Sequence, residues 1–311
     1  MQNMSDATSG GFGSVSVLGL GPMGAPIARN LLASFGPITV WNRTTAKAQE
    51  FIERGARAAQ TPREAASAVT LTVLPDLIHV EALLDGDTGL LAGWADHGIA
   101  APVLVVHGTV SPVAVGNFSR RLWNNHHVQV IDAPLSGGTV GAANGTLSIM
   151  IGGDKDTAAL LESLFSHYGR TVRYLGATGS GELAKACNQI VVAAAIAALS
   201  ESMLLARTAG LDLQVLQEIL QGGLARTEVL EQKGEKWLDE DFVEGGSARN
   251  QLKDLRFALD AGRAEHVDLP TTQRVTELFA RMVADGEGDL DHTGLYRTLQ
   301  RSSAAGGADH A

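Results

Sequence analysis

Three polar side chains in the segment GSGELAKACNQIVVAAAIAALSESMLL, residues 179–205, have types and spacing suited to chemistry: Lys185, Asn188 and Gln189. At about 100° per residue they share one helix face with Val192 and Ile196, while Cys187 points almost the opposite way. A cation beside two carboxamides can hold a polar ligand, and the same lysine can equally be the solvated end of a helix. Residues elsewhere in the chain must decide. A second group, Gly19-Leu20-Gly21-Pro22-Met23-Gly24, has the spacing of a loop that wraps a pyrophosphate. A third, Ser136-Gly137-Gly138, can expose consecutive backbone N–H groups beside one hydroxyl, a receptor for a small carboxylate.

Each group needs an element to hold it. The segment opening at Gly179 predicts a helix whose apolar run, Ile190 to Leu199, is well short of the roughly 18 residues of a membrane span. It is expected to be the central helix of a soluble protein, with Cys187 as a buried core thiol. Val15 to Leu18 is an apolar strand running into the glycine triplet, and Ala25 to Leu32 continues with helical spacing. In that order Gly19 makes the tight turn, Gly21 admits the pyrophosphate, and Gly24 lets the helix pack on the strand.

A second strand, Ile38 to Trp41, ends in Asn42-Arg43-Thr44. An NAD site would place an acid there against the ribose 2′-hydroxyl; here stand an amide, an arginine and two hydroxyls, which favours NADP(H) over NAD(H). Thr61 to Glu64 predicts a capping box, Val69 to Leu74 a strand stopped by Pro75, and Val103 to Val106 a strand before the cap Ser111-Pro112. Val128 to Ile131 and Leu147 to Ile151 complete the pattern. Repeated βα units predict a doubly wound parallel sheet of the Rossmann type, with ligands at the carboxyl ends of its strands. Leu74, Pro75 and Thr109 therefore join Asn42, Arg43 and Thr44 as cofactor candidates.

Downstream of the long helix the pattern stays helical: Leu211 to Leu220, Leu252 to Ala261 and Thr271 to Ala284, with Lys236 to Gly246 an acidic, turn-rich connection and Asp291 capping a last short helix. The expected division is a tail over 1–13, an NADP-binding Rossmann domain over 14–177, an all-helical domain over 178–301 reached by the long interdomain helix, and a disordered tail over 302–311. A formal charge of -10, from 34 acidic against 24 basic residues, argues against nucleic acid. One cysteine and nine scattered histidines give no metal motif. The opening MQNMSDATSGGFG has no apolar signal core, so the expected location is cytoplasmic.

Taken together, GLGPMG, DAPLSGGTVGAANGTLSIMIGG, GSGELAKACNQ and Asn250-Gln251-Leu252-Lys253-Asp254-Leu255 resemble the β-hydroxyacid dehydrogenases, over roughly residues 14 to 300. Gln221 to Ala225 with Val229-Leu230 is similar to the reductase branch. The resemblance implies NADP-dependent interconversion of a β-hydroxy acid and its semialdehyde or keto acid. Lys185 would be the general acid and base, and Asn188 would hydrogen-bond the substrate or the lysine. Ser136, Gly137 and Gly138 would hold the substrate carboxylate; Thr109 would line the site, and Lys253 would close it from the helical domain and touch the cofactor. A homodimer or homotetramer through the long helix is implied as well, with Ala193 to Ala195, Ala197 and Ala198 allowing close helix packing.

One departure stands out: where the family places D-x-S-T this chain has Val106-His107-Gly108-Thr109. The missing hydroxyl at Gly108 is expected to leave room for a bulkier substrate, and His107 to be solvent-facing or structurally hydrogen-bonded. Imine reductases and reductive aminases would share GLGPMG and VWNRT, but lack the serine-diglycine loop with a helix lysine. A non-catalytic NADPH-binding protein is a third reading, disfavoured by the presence of Lys185.

Overall fold

The structure, a computed structural model, describes residues 13–243 and 245–307. The chain divides into two compact units, one ending at Lys185 and the other beginning at Ala186. The expected tail over 1–13 lies, but for Gly13, outside the described residues.

The first unit is built on one nine-stranded sheet: β1 Val15–Leu18, β2 Thr39–Trp41, β3 Arg57–Ala58, β4 Val69–Thr72, β5 Val103–Val106, β6 Gln129–Asp132, β7 Leu135–Ser136, β8 Leu147–Gly152 and β9 Gly169–Gly176. Their order is β3-β2-β1-β4-β5-β6-β8-β7, with β9 paired to β8. The first six pair in parallel, Val17 standing beside Val40 and Leu71, and Val105 beside Ile131. Strands β1 and β4 to β6 are almost wholly buried Val, Leu, Ile and Thr, the near-continuous apolar run of a sheet covered on both faces. The two covering layers appear as two separate apolar clusters, one containing Ile27, Leu31 and Phe165, the other Trp94, Phe118 and Leu122.

The sheet is mixed rather than purely parallel. β8 runs antiparallel to β6 and β7. Between β6 and β8 the chain from Ala133 to Thr146 holds β7 and a seven-residue helix, Gly138–Asn144, and returns antiparallel instead of crossing over to a parallel strand. Helices of eight or more residues here are α1 Gly24–Ser34, α2 Pro112–His126 and α3 Lys155–Phe165. Ser111 caps α2 by accepting from the Ala114 N–H, and Thr61 accepts from the Glu64 N–H as its box requires. The carboxylate of Glu64, however, accepts from Gln60 N at 2.9 Å, one residue before the cap.

Helix α4, Ser180–Thr208, runs across the division between the units. It is longer and more apolar than its ten-residue core run suggests, long and apolar enough by length and composition alone to cross a membrane, and 44% of that window is buried inside the protein. Its uncovered face carries Leu183, Val191 and Leu205. Cys187 is on that face and is exposed, which corrects the expectation of a core thiol. The direction of the side chain was right, but none of the described residues covers it. Ala193 and Ala197 are buried, so part of the small-residue face is used within the second unit.

The second unit adds α5 Leu213–Gly222, α6 Glu228–Asp239, α7 Ala248–Ala264, α8 Pro270–Met282 and α9 Leu295–Gly307 around a core of Met203, Trp237, Phe242, Leu255, Phe279 and Tyr296. Two expectations fail here. Lys236 to Asp239 belongs to α6 rather than to a turn-rich connection, because Leu230, Gly234 and Trp237 recur at helical spacing and bury under a charged face. Ser302 to Gly307 continues α9 instead of forming a disordered tail; residues 308–311 lie outside the described residues. Asp291 does cap a short 3-10 turn, accepting from the Thr293 N–H.

Candidate active site

The order 3-2-1-4-5-6 reverses between β1 and β4, and in a doubly wound sheet the loops beyond the carboxyl ends of the strands at such a reversal are where ligands bind. Gly19 to Gly24, Asn42 to Thr44, Leu74-Pro75 and His107 to Thr109 all leave the sheet at that edge. Asp132 to Ser136 follows β6 at the same edge.

Geometry separates the three glycines. Gly19 has φ +103, and a Cβ there would stand 2.5 Å from the Val73 carbonyl oxygen. A Cβ on Gly24 would overlap the Gly19 carbonyl oxygen, so this glycine seats α1 against the loop. Gly21 meets nothing within 4 Å and keeps open space before α1. The first turn of α1 has neither a side-chain cap nor an acid, leaving its positive end facing the loop. These residues fit a dinucleotide pyrophosphate.

Asn42 has a different job from the free amide its position suggests. Its Oδ1 accepts from Leu20 N at 2.9 Å and its Nδ2 donates to the Thr44 carbonyl at 3.0 Å, so both ends of the amide shape the loop. Arg43 and Thr44 are exposed, and among the described residues Arg43 has no ion-pair partner.

The substrate-loop candidates lie on β7 and the turn after it. Ser136 is half-buried and its hydroxyl makes no hydrogen bond among the described residues. Gly137 has φ +124 and Gly138 opens a short helix, Gly138–Asn144.

Lys185 is in the second turn of α4 and is buried. Asn188 follows on the same helix; its Oδ1 is buried with no hydrogen-bond partner among the described residues, an acceptor left for a ligand or water. Gln189 Nε2 donates to Asp254 Oδ2 at 2.7 Å, which ties α4 to α7 inside the second unit. Lys253 stands on α7, its amine 3.6 Å from Asp254 Oδ1 and 5.4 Å from the centre of the Phe257 ring.

Gly108 corrects the reading of an enlarged pocket. A Cβ there would overlap the carbonyl oxygen of Leu74, so the space of the absent serine is filled by the β4 loop. His107 is inside the sheet's cover: Nδ1 bonds the Ala133 carbonyl at 2.6 Å and Nε2 the Tyr168 hydroxyl at 2.9 Å. Burial pushes its pKa down to about 4, so the ring is neutral, with Nδ1 donating to the carbonyl and Nε2 accepting from the tyrosine.

Two carboxylates were not singled out from the sequence. Asp132 is fully buried at the end of β6; its Oδ1 accepts from Gly179 N at 2.8 Å and its Oδ2 from Glu182 N at 2.9 Å. Glu182 in turn accepts from Val110 N at 3.0 Å. Both partners are backbone groups dozens of residues away, and only the Asp after a strand end hinted at a cap.

Residues 14–176 match the NAD-binding domain of 6-phosphogluconate dehydrogenase, and residues 179–299 match the NAD-binding domain of NADP-dependent 3-hydroxyisobutyrate dehydrogenase. The 2-hydroxy-3-oxopropionate reductase of Escherichia coli K12 is 34% identical over 293 residues, 91% of this chain and 96% of that one. The Mycobacterium tuberculosis 3-hydroxyisobutyrate dehydrogenase crystallised with L-serine superimposes with a TM-score of 0.76 at 26% identity, covering 93% and 99% of the two chains. The reductive aminase of Aspergillus terreus, at 24% identity and a TM-score of 0.58 over 92% and 99%, shares the fold alone.

Proposed function

The chain belongs to the β-hydroxyacid dehydrogenase family, and from that premise we propose that it is an NADPH-dependent oxidoreductase interconverting a β-hydroxy acid and its semialdehyde or keto acid. The observation that carries the reading is Lys185, a buried amine on a helix whose start is fastened to the ligand-bearing edge of the sheet. When bound, the dinucleotide supplies the hydride in reduction and accepts it in oxidation.

Lys185 donates a proton from Nζ to the carbonyl oxygen as that oxygen gains charge, and takes it back from the hydroxyl in the reverse direction. Ser136 offers its free hydroxyl, with the Gly137 and Gly138 backbone, to the substrate carboxylate. Asn188 offers an acceptor one turn beyond the lysine. Arg43, exposed and without an ion-pair partner among the described residues, supports recognition of a 2′-phosphate.

A homodimer or homotetramer assembled through α4 is part of the same reading. Leu183, Val191 and Leu205 on α4, with Val215 and Ile219 on α5, expose apolar surface suited to a second copy. The test of the activity is an NADPH oxidation assay against semialdehyde acids, β-keto esters and cyclic imines. Turnover of the acids supports the reading; turnover of the imines alone would overturn it.

A further inference from the structure

We propose that Asp132 is the positioning residue for Lys185, gripping the first turn of α4 so that the lysine's height and rotation are set from the end of β6. The inference rests on the reading of Lys185 as proton donor. Helix α4 begins after Gly179, whose φ of +98 suits glycine and which brings no side chain to cap the helix. Asp132 supplies that missing cap from 47 residues away.

Its two oxygens take N–H groups three residues apart, Gly179 and Glu182. A single hydrogen bond would leave the turn free to rotate about it, whereas two fix the turn both along and around the helix axis. Lys185 is three residues beyond Glu182, about 4.5 Å further along the axis, so any slip of the turn passes directly to the amine. Burial raises the Asp132 pKa while the backbone N–H donors oppose that rise, as expected for a carboxylate whose lone pairs are directed at a helix end.

Neighbouring residues are shaped around this grip. A Cβ on Gly152, the β8 partner of Asp132, would stand 2.6 Å from Oδ1 and 2.7 Å from Oδ2. A Cβ on Gly181 would overlap the Met150 carbonyl oxygen and stand 2.9 Å from Asp132 Oδ2. Glu182 Oε2 holds the same turn to Val110, just after Thr109. The strand that carries Asp132 leads directly into Ser136 to Gly138, so one residue spaces the carboxylate receptor from the lysine helix.

The test compares Asp132→Asn, Gly181→Ala and Lys185→Ala with the wild type, using NADPH and 2-hydroxy-3-oxopropionate as the probe and reading kcat, KM, NADPH affinity by fluorescence, and amide exchange at Gly179 and Glu182. Asp132→Asn should speed exchange at those amides and lower kcat by about ten- to a hundredfold, the scale of a misplaced catalytic group. KM and NADPH affinity should stay within about twofold, because proton transfer is felt in the transition state alone. Gly181→Ala keeps the carboxylate but displaces the same turn by crowding the Met150 carbonyl and Asp132 Oδ2, and should lower kcat likewise; it decides the matter if Asp132→Asn does not fold. Wild-type kcat in either folded variant while Lys185→Ala is inactive overturns the positioning role and leaves the proposed function standing. Lys185→Ala retaining turnover overturns the reading of the lysine, and this inference with it.

Discussion

The proposed preference for NADPH rests almost wholly on Arg43, since no acid stands at the end of β2 and the Asn42 amide is spent on the glycine loop. Arg43→Asp should raise the KM for NADPH by about tenfold or more while changing that for NADH far less, the loss of a charge-assisted phosphate contact being the cause. Equal effects on both cofactors would contradict the assignment. His107 makes a different prediction. Its folded pKa of about 4 is below its ordinary 6.5, so protonation favours unfolding. The stability it carries is complete above pH 6.5 and is lost as the pH falls toward 4, about 3 kcal/mol in all. Denaturant titrations at pH 7 and 4.5 should show that part of the loss in the wild type and much less in His107→Asn. From the sequence, the valine and glycine of Val106-His107-Gly108-Thr109 showed what the chain lacks. They could not show that the Leu74 carbonyl occupies the vacated position.

At the level of elements, strand–glycine loop–helix was legible because each glycine answers a separate steric demand, and those demands differ enough to measure. Gly21→Ala should leave the melting temperature within about 2 °C, since its Cβ meets only open space, yet weaken dinucleotide binding by closing the approach. Gly24→Ala should cost about 1–3 kcal/mol of stability, because its Cβ overlaps the Gly19 carbonyl. Calorimetry with a binding titration checks both, and a destabilised Gly21→Ala that still binds would reverse the assignment. Helix α6 was missed for a physical reason. Its buried positions, Leu230, Gly234 and Trp237, are few and one of them is glycine, so charge dominates the local pattern. Strand β9 was missed as well: Arg170, Thr171 and Arg173 give its exposed face the composition of a loop. The Asp132 and Glu182 contacts span 47 to 72 residues and end on backbone N–H groups, which carry no side-chain signature.

For the whole molecule, the sequence indicated which way the side chains of α4 point but not what covers them. Cys187 is exposed on the same face as Leu183 and Val191, while Ala193 and Ala197 are consumed by the second unit's own core. Val191→Glu, a charge placed on that open face, should halve the mass seen in sedimentation while leaving the far-ultraviolet spectrum unchanged. A wild type that sediments as a monomer at micromolar concentration would remove the dimer from the account. In the proposed reaction, Lys185 on the helix fastened by Asp132 moves the proton. The turnover of Lys185→Ala at saturating NADPH tests it most directly. A fall in kcat of about a hundredfold or more is expected, with NADPH affinity within about twofold of wild type. Intact NADPH binding with most of the turnover retained would contradict it.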